Sequence, residues 1–220
     1  MIFLLQTTCN TNLFAQDKKG SLEIRGTVTY DNSPVKGAQI KATTQSGKTI
    51  AEESSQRGTF RLKLDYGETY ILEITQQGYV TTSYEIATDV PEEHKDYNSI
   101  FEITTEFFPE IAGIDYSIFK KPLAYINYDK RYDDFALNTV KTGNNFVKVQ
   151  EIKRQVDKAY KDASRYDKEL AEANNLYNAK DYEKALQAYQ RASTLKPTEQ
   201  FPKDRITEIS NLLAAQRDKE

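Results

Sequence analysis

The sequence predicts an α+β protein of more than one domain, in which an N-terminal antiparallel β-sandwich precedes a C-terminal bundle of helical hairpins. Three observations predict this division. Between residues 21 and 86, apolar and polar side chains alternate with period two, as in strands. From about residue 144, apolar side chains recur at three- and four-residue steps, as in helices. Glycine-containing turns are frequent in the first region, and no Gly or Pro lies within residues 144–178 of the second.

The predicted sandwich, residues 17–98, contains five or six short strands, which begin with SLEIRGTVTY at residues 21–30. Later strands are separated by turns at Gly47, Gly58, Gly67 and Gly78. Gly26 lies within the first strand, where it is either a bulge or a point of close packing.

Several short motifs in these strands resemble the carboxypeptidase regulatory-like domain, a transthyretin-like (immunoglobulin-like) sandwich. They are IRGTV at 24–28, PVKGA at 34–38, RGTF at 57–60, YG at 66–67, Tyr70 and GY at 78–79. The resemblance implies a non-catalytic domain of the kind that accompanies peptidases. Ser55 and Gln56 stand where relatives often place Asp or Glu, so an acidic cation site is not expected there.

Residues 99–140 are predicted to form an aromatic connector of strand and loop that packs on the sandwich. SIFEITTEFF, residues 99–108, alternates as a strand and is followed by Pro109; LAYINY, residues 123–128, predicts an edge strand beside it. The passage looks like a segment that follows the regulatory-like domain in exported proteins of Bacteroidetes-type bacteria. Such proteins often also carry tetratricopeptide-like helices.

Residues 141–220 are predicted to be helical, with one long helix over residues 146–178 and a final capping helix after Pro197. Between them, residues 170–197 predict two antiparallel helices joined by a turn at residues 179–181. Ala173, Ala185 and Ala192 stand where the two helix backbones approach each other, because small side chains permit a close approach.

The hairpin resembles a single tetratricopeptide repeat in its small residues, aromatic residues and terminal proline. The matching residues are Ala173, Tyr182, Ala185, Tyr189, Ala192 and Pro197. In that family the first helix lines the partner-binding face, and the matching positions here are Asp167, Leu170, Asn174, Tyr177 and Asn178. Glu169 and Glu172 replace the bulky apolar residues that would pack on a preceding repeat, which argues against a long array. A purely structural repeat is the open alternative.

The first sixteen residues carry no charge and precede the polar run DKKG. This pattern predicts a signal peptide at residues 1–16, cut after Ala15 or Gln16, and an exported protein of the periplasm or outer membrane. An apolar tail, or a lipid-attachment site at Cys9, are the alternatives. Since Cys9 is the only cysteine, its removal would leave no disulfide in the mature chain.

Charge and composition exclude several partners. Charged residues make up 29% of the chain, so no membrane-spanning segment is expected in the mature protein. Residues 17–140 carry 14 basic and 20 acidic side chains, and residues 141–220 carry 16 and 13. Neither region has the one-signed field that binding to a phosphate backbone requires, which predicts no nucleic-acid partner.

The residues also predict no enzyme, cofactor or metal site. The single histidine, His94, lies in a charged connector, where an exposed loop position is the simplest interpretation. One His and one Cys cannot assemble a tetrahedral zinc site. The acidic pairs at 92–93 and 133–134 are adjacent in sequence, so their side chains do not face each other as paired catalytic acids do.

Two functions follow as hypotheses. The first is a non-catalytic adaptor or scaffold of the cell envelope that binds a protein or peptide partner through its helices. The alternative is a module that binds glycan or peptidoglycan through aromatic residues of the sandwich, because aromatic rings can stack on sugars. Five tyrosines of this region stand at strand ends and turns, where a half-buried ring is also an ordinary structural position. Those residues are Tyr66, Tyr70, Tyr79, Tyr84 and Tyr97.

Overall fold

The computed structural model of the chain describes residues 19–218, apart from the side chains at positions 52 and 53. The predicted signal peptide and Cys9 lie outside the described residues. The chain divides into a sandwich unit, which includes residues 19–76, 81–106 and 122–143, and a helical unit, which includes 77–80, 107–121 and 144–218. The predicted connector, residues 99–140, is distributed over both units. The predicted domain limits themselves stay a prediction.

The sandwich unit contains two β-sheets and one short helix, α1 (Thr139–Thr142). Its strands are β1 (Ser21–Tyr30), β2 (Ser33–Pro34), β3 (Gln39–Thr44), β4 (Thr49–Glu53), β5 (Thr59–Asp65), β6 (Thr69–Thr75), β7 (Thr82–Ala87), β8 (Ser99–Glu106), β9 (Ala124–Asp129) and β10 (Asp134–Leu137). In the first sheet β1 pairs with β2, β5 and β8. The second sheet has the order β10-β9-β7-β6-β3-β4.

The predicted period-two alternation is confirmed by which side chains are buried. In β5, Phe60, Leu62 and Leu64 are buried and the residues between them are exposed. The same alternation runs through β6 and β7 of the second sheet, so each sheet buries one apolar face.

Gly26 is a point of close packing rather than a bulge. It lies directly opposite Phe60, and the register between β1 and β5 continues without an extra residue on either side. A Cβ atom at Gly26 would overlap the aromatic ring of Phe60. The ring therefore occupies the space that a side chain would need.

Two features of the sandwich differ from the prediction. The sheets are mixed rather than antiparallel, because β8 runs parallel to β1 and β9 runs parallel to β7. The predicted strand at LAYINY exists as β9, but it pairs with β7 and β10 in the other sheet instead of lying beside β8. Alternation along one strand shows which side chains face the core. It does not show which strands lie beside it or whether they run parallel or antiparallel to it.

The helical unit contains α2 (Asn145–Asn178), α3 (Tyr182–Leu195) and α4 (Gln200–Arg217). The long helix predicted over residues 146–178 is confirmed to within one residue. The turn is also where it was predicted: Lys180 has a φ of 62°, and the Asp181 side chain caps α3 by accepting a hydrogen bond from the backbone N–H of Lys184.

Helices α2 and α3 pack against each other as an antiparallel hairpin, and α4 packs on α3. The side-chain pairs show that the two helices run antiparallel, because the α3 partners fall in number as the α2 residues rise. The pairs are Glu169 with Arg191, Asn174 with Tyr189, and Tyr177 with Tyr182. The fully buried core is Ala173, Ala185, Ala188, Tyr189 and Ile209. Small residues thus stand where the helices meet, as predicted for positions 173 and 185. Ala192, the third predicted position, is also fully buried.

The aromatic segment Phe107–Lys121 belongs to the helical unit and buries Phe107, Phe108 and Phe119. Tyr79 stacks on Phe107 with the ring centres 5.2 Å apart. Phe119 lies in the loop that follows Pro109 and is buried, whereas the packing of the connector on the sandwich stays a prediction. None of the helices in the described part of the chain has the length and apolar character needed to cross a membrane.

Candidate functional site

The five predicted partner-binding residues lie on one face of α2, at three- and four-residue steps. Asp167 and Asn178 are exposed, and Asn174 is half-buried. Leu170 and Tyr177 are also half-buried and pack against the helical core. The helix therefore brings the five residues together on one face, whereas their role in binding stays a prediction.

Asn174 joins this face to the core of the hairpin. Its Oδ1 accepts a hydrogen bond of 2.6 Å from the hydroxyl of Tyr189, whose side chain is otherwise fully buried. The amide nitrogen of Asn174 has no partner among the described residues. With its oxygen engaged by Tyr189, Asn174 retains two Nδ2 donors, and it lies four residues before the exposed Asn178 on the same face of α2.

Tyr177 is held by two residues of α4. Its hydroxyl donates a hydrogen bond of 2.5 Å to Oε1 of Glu208. The guanidinium carbon of Arg205 lies 4.6 Å from the centre of the Tyr177 ring and 5.4 Å from that of Phe201. Arg205 also donates to Oε2 of Glu208 at 2.7 Å. We call these four side chains the α2–α4 clamp.

The electrostatics of the α2–α4 clamp follow from these bonds. The hydrogen bonds from Tyr177 and Arg205 lower the pKa of Glu208, and the positive charge of Arg205 lowers it further. The bond to Glu208 raises the pKa of the Tyr177 hydroxyl. Glu208 therefore stays ionised and Tyr177 stays protonated near neutral pH.

Arg205, Glu208 and Phe201 were not among the predicted site residues. Their spacing of three and four residues on the last helix indicates a shared face, but the sequence does not place that face against Tyr177. Only the packing of α4 against the hairpin brings residues 177 and 208 into contact.

The two glutamates that argue against a preceding repeat are paired with α3. Arg191 donates to Glu169 at 2.8 Å and to Glu172 at 3.4 Å. An exposed ion-pair cluster at this position is unsuited to apolar packing against another helix.

The aromatic residues of the glycan alternative have different environments. Tyr70 and Tyr84 are 0% and 5% exposed, so the predicted half-buried positions at strand ends were wrong for these two rings. Both point into the core, because they fall on the buried positions of β6 and β7. Neither can stack on a sugar in the folded protein. Tyr66 and Tyr79 are half-buried and Tyr97 is 66% exposed.

The residues considered for catalysis are exposed or shielded by neighbours. Glu92 and Glu93 are exposed in a short turn of 3-10 helix, Glu92–His94. His94 is partly shielded rather than an exposed loop residue, with its Nε2 3.1 Å from Oδ1 of Asp133. Among residues 19–218, no three His, Cys, Asp or Glu side chains are grouped so that they could hold a metal ion.

No protein-family model matches the chain, and no curated protein sequence matches it. The matches are to solved structures over part of the chain. One is the Bacillus anthracis TIE protein, at 18% identity and a TM-score of 0.33, over 40% of this chain and 16% of that one. Another is a C-terminal fragment of the pilus adhesin SpaC from Lactobacillus rhamnosus GG, at 15% identity and 0.32, over 44% and 48%.

A third is a variant of the catechol 1,2 dioxygenase of Acinetobacter radioresistens, at 12% identity and a TM-score of 0.32, over 45% of this chain and 55% of that one. The chain thus spans less than two thirds of each of these three proteins. Likenesses at these scores carry no argument about activity or partners. The resemblances to the regulatory-like domain and to the tetratricopeptide repeat stay predictions.

Proposed function

We propose that this protein is a non-catalytic adaptor of the cell envelope that binds an extended segment of a partner protein along the tetratricopeptide-like face of α2 and α4. The observation that carries the proposal is the amide of Asn174, whose oxygen is occupied by Tyr189 and whose nitrogen is free among the described residues. The location in the envelope rests on the sequence alone.

An extended peptide fits the chemistry of this face. The backbone carbonyls of such a peptide are unpaired and need donors, and the Nδ2 of Asn174 supplies two N–H groups. Asn178, four residues further along α2, is exposed and adds a second amide on the same face. Recognition of backbone groups at this spacing favours a protein segment over a small ligand.

The α2–α4 clamp supports binding because it holds the face in one conformation before a partner arrives. Tyr177 is fixed by Glu208 through its hydroxyl and by Arg205 across its ring. A face that is already ordered loses less conformational entropy on binding. The two helices can therefore present polar donors and an aromatic ring together.

Site-specific photo-crosslinking in intact cells tests the proposal. A benzophenone amino acid at the exposed position 178 should capture a partner protein, and the same group at exposed position 187 of α3 should not. Mass spectrometry of the crosslinked peptide should identify one segment of the partner. Equal capture from both positions would contradict binding at this face.

The variant Asn174→Asp sharpens the test, since it keeps an oxygen for Tyr189 and removes the N–H donors. It should reduce capture from position 178 while the helices remain folded by circular dichroism. Asn211→Asp, at an exposed asparagine of α4, is the matched control and should leave capture unchanged. If Asn174→Asp also leaves capture unchanged, Asn174 serves only the structure of the hairpin.

A further inference from the structure

At one place in the sandwich unit, aromatic rings and a fixed carboxylate lie together. The imidazole of His94 is 5.4 Å from the ring centre of Tyr128 and 6.3 Å from that of Tyr97. Tyr128 is supported edge-on by the buried ring of Phe135, its partner across the β9–β10 hairpin. Tyr97 is 66% exposed. We call His94, Tyr97, Tyr128 and Asp133 the aromatic–acidic patch.

Asp133 is held at one oxygen only. Its Oδ1 accepts the hydroxyl hydrogen of Tyr128 and lies 3.1 Å from Nε2 of His94. Its Oδ2 has no partner among the described residues, and the side chain is 72% exposed. The backbone of Asp133 has a φ of 55°, a conformation that Asp tolerates in tight hairpin turns. The carboxylate is thus fixed in position with one oxygen facing solvent.

Negatively charged side chains surround the hydroxyl of Tyr128. Its pKa is raised to about 12, first because its hydroxyl donates to Asp133, then because of burial and the charges of Asp133, Glu93 and Asp134.

Three basic residues lie in the same segments. Lys95 is ion-paired with Glu92 and Arg131 with Asp129, while Lys130 is exposed. Among the described residues none of the three is ion-paired with Asp133. The patch therefore combines ring faces, which attract cations, with a carboxylate oxygen that can accept hydrogen bonds from a cation.

We propose that the aromatic–acidic patch binds a cationic side chain, the ammonium group of a lysine, presented by a protein partner. The ammonium donates to Oδ2 of Asp133 and lies against the exposed ring of Tyr97. Charge complementarity decides between ligand classes, because an anionic ligand would be repelled by Glu93, Asp133 and Asp134. This site is on the sandwich and is separate from the helical face of the proposed function.

Titration of the full chain, followed by two-dimensional amide NMR, tests the proposal with trilysine, triglutamate and maltotriose as probes. Trilysine should shift amide signals of residues 93–97 and 128–134, and the other two probes should not. The affinity for trilysine should fall as sodium chloride is raised, because the charges are exposed to solvent. Shifts with maltotriose and none with trilysine would overturn the proposal in favour of a sugar site.

Variants then locate the contact. Asp133→Asn should weaken trilysine binding about threefold, the size expected of an exposed ion pair. Asp31→Asn is the matched control, because Asp31 is also an exposed turn residue with positive φ, and it should leave the affinity unchanged. Tyr97→Ala should weaken binding by a similar factor, whereas Tyr97→Phe keeps the ring and should not. Equal affinities for Asp133→Asn and Asp31→Asn would overturn the assignment.

Discussion

The sandwich unit and the helical unit are stabilised by different kinds of packing. The sandwich buries large aliphatic side chains completely, such as Leu22, Leu72 and Ile74 at 0% exposure. In the helical unit, the core cluster between α2, α3 and α4 consists of three alanines together with Tyr189 and Ile209, and the leucines that pack against it stay partly exposed. The sandwich therefore depends on apolar area removed from water, and the hairpin depends on close backbone approach and on specific polar bonds.

The two kinds of packing differ in how closely the surface residues are connected to the core. In the helical unit the tyrosines and asparagines that pack against the core also reach the surface, as Asn174 and Tyr177 do. In the sandwich the side chains that make the core end inside it. Tyr97 and Asp133 are mostly exposed, so we expect their substitution to cost little stability. Substitutions in the two cores should therefore differ in their effect on stability.

The largest expected effect comes from a leucine of the sandwich. Leu72→Ala in β6 should lower the free energy of unfolding of the sandwich by about 3 kcal/mol or more, because a fully buried side chain leaves a cavity. Leu186→Ala in α3, at a half-buried leucine, should cost about 1 kcal/mol, since less area is lost. Hydrogen exchange followed by mass spectrometry measures each unit separately. Equal losses of unfolding free energy would show that the helical core depends on buried apolar area as much as the sandwich core does.

The second prediction adds side-chain volume to the core of the hairpin, whereas the first removes it. Ala185→Val should destabilise the helical unit by about 1–3 kcal/mol, since Ala185 is fully buried between helices and extra methyl groups would force them apart. Ala171→Val, at an exposed alanine of α2, is the matched control and should cost only the difference in helix propensity, about 0.5 kcal/mol. Thermal melting monitored at 222 nm measures both. Similar losses at the two positions would contradict close packing at Ala185.

Much of this fold can be predicted from the sequence because each local pattern is unambiguous. The long helix is uninterrupted by Gly or Pro, and its end is marked by the turn before the Asp181 cap. The strands are recovered for the same reason. The parallel pairings of β8 and β9 could not be predicted, since they depend on which sheet a strand joins after a long crossover. β10 was missed because it has only four residues and begins at Asp134, the second residue of the acidic pair.

The candidate site was predicted in part. The α2 positions follow from helical spacing and from resemblance to a repeat, so Asn174 and Tyr177 were named. Arg205 and Glu208 could not be, because their contact with Tyr177 requires the packing of α4 to be known. The same holds for His94 and Asp133, which are far apart in sequence and were interpreted as loop residues. Residues that act through long-range contacts leave no local pattern.

The third effect tests whether a residue of the binding face also stabilises the hairpin. Asn174→Ala should lower the stability of the helical unit by about 1–2 kcal/mol, because the buried hydroxyl of Tyr189 would lose its acceptor. Asn174→Asp should retain most of the stability. In a Tyr189→Phe background the alanine substitution should cost much less, since no hydroxyl is left unpaired. Urea unfolding of the four variants measures the coupling, and additive losses would show that the bond contributes nothing.

The smallest effect concerns the α2–α4 clamp and its dependence on pH. The folded-state pKa of Glu208 lies below its unfolded value of about 4.3, so its contribution is fully present above that pH. As pH falls through the folded pKa, Glu208 takes up a proton and the contribution is lost. The stability difference between the native chain and Glu208→Gln should therefore shrink between pH 6 and pH 3. Tyr177→Phe should reduce that difference at pH 6, because it removes the shorter of the two hydrogen bonds to Glu208. A difference that stays constant with pH would mean that the α2–α4 clamp does not depend on the ionised carboxylate.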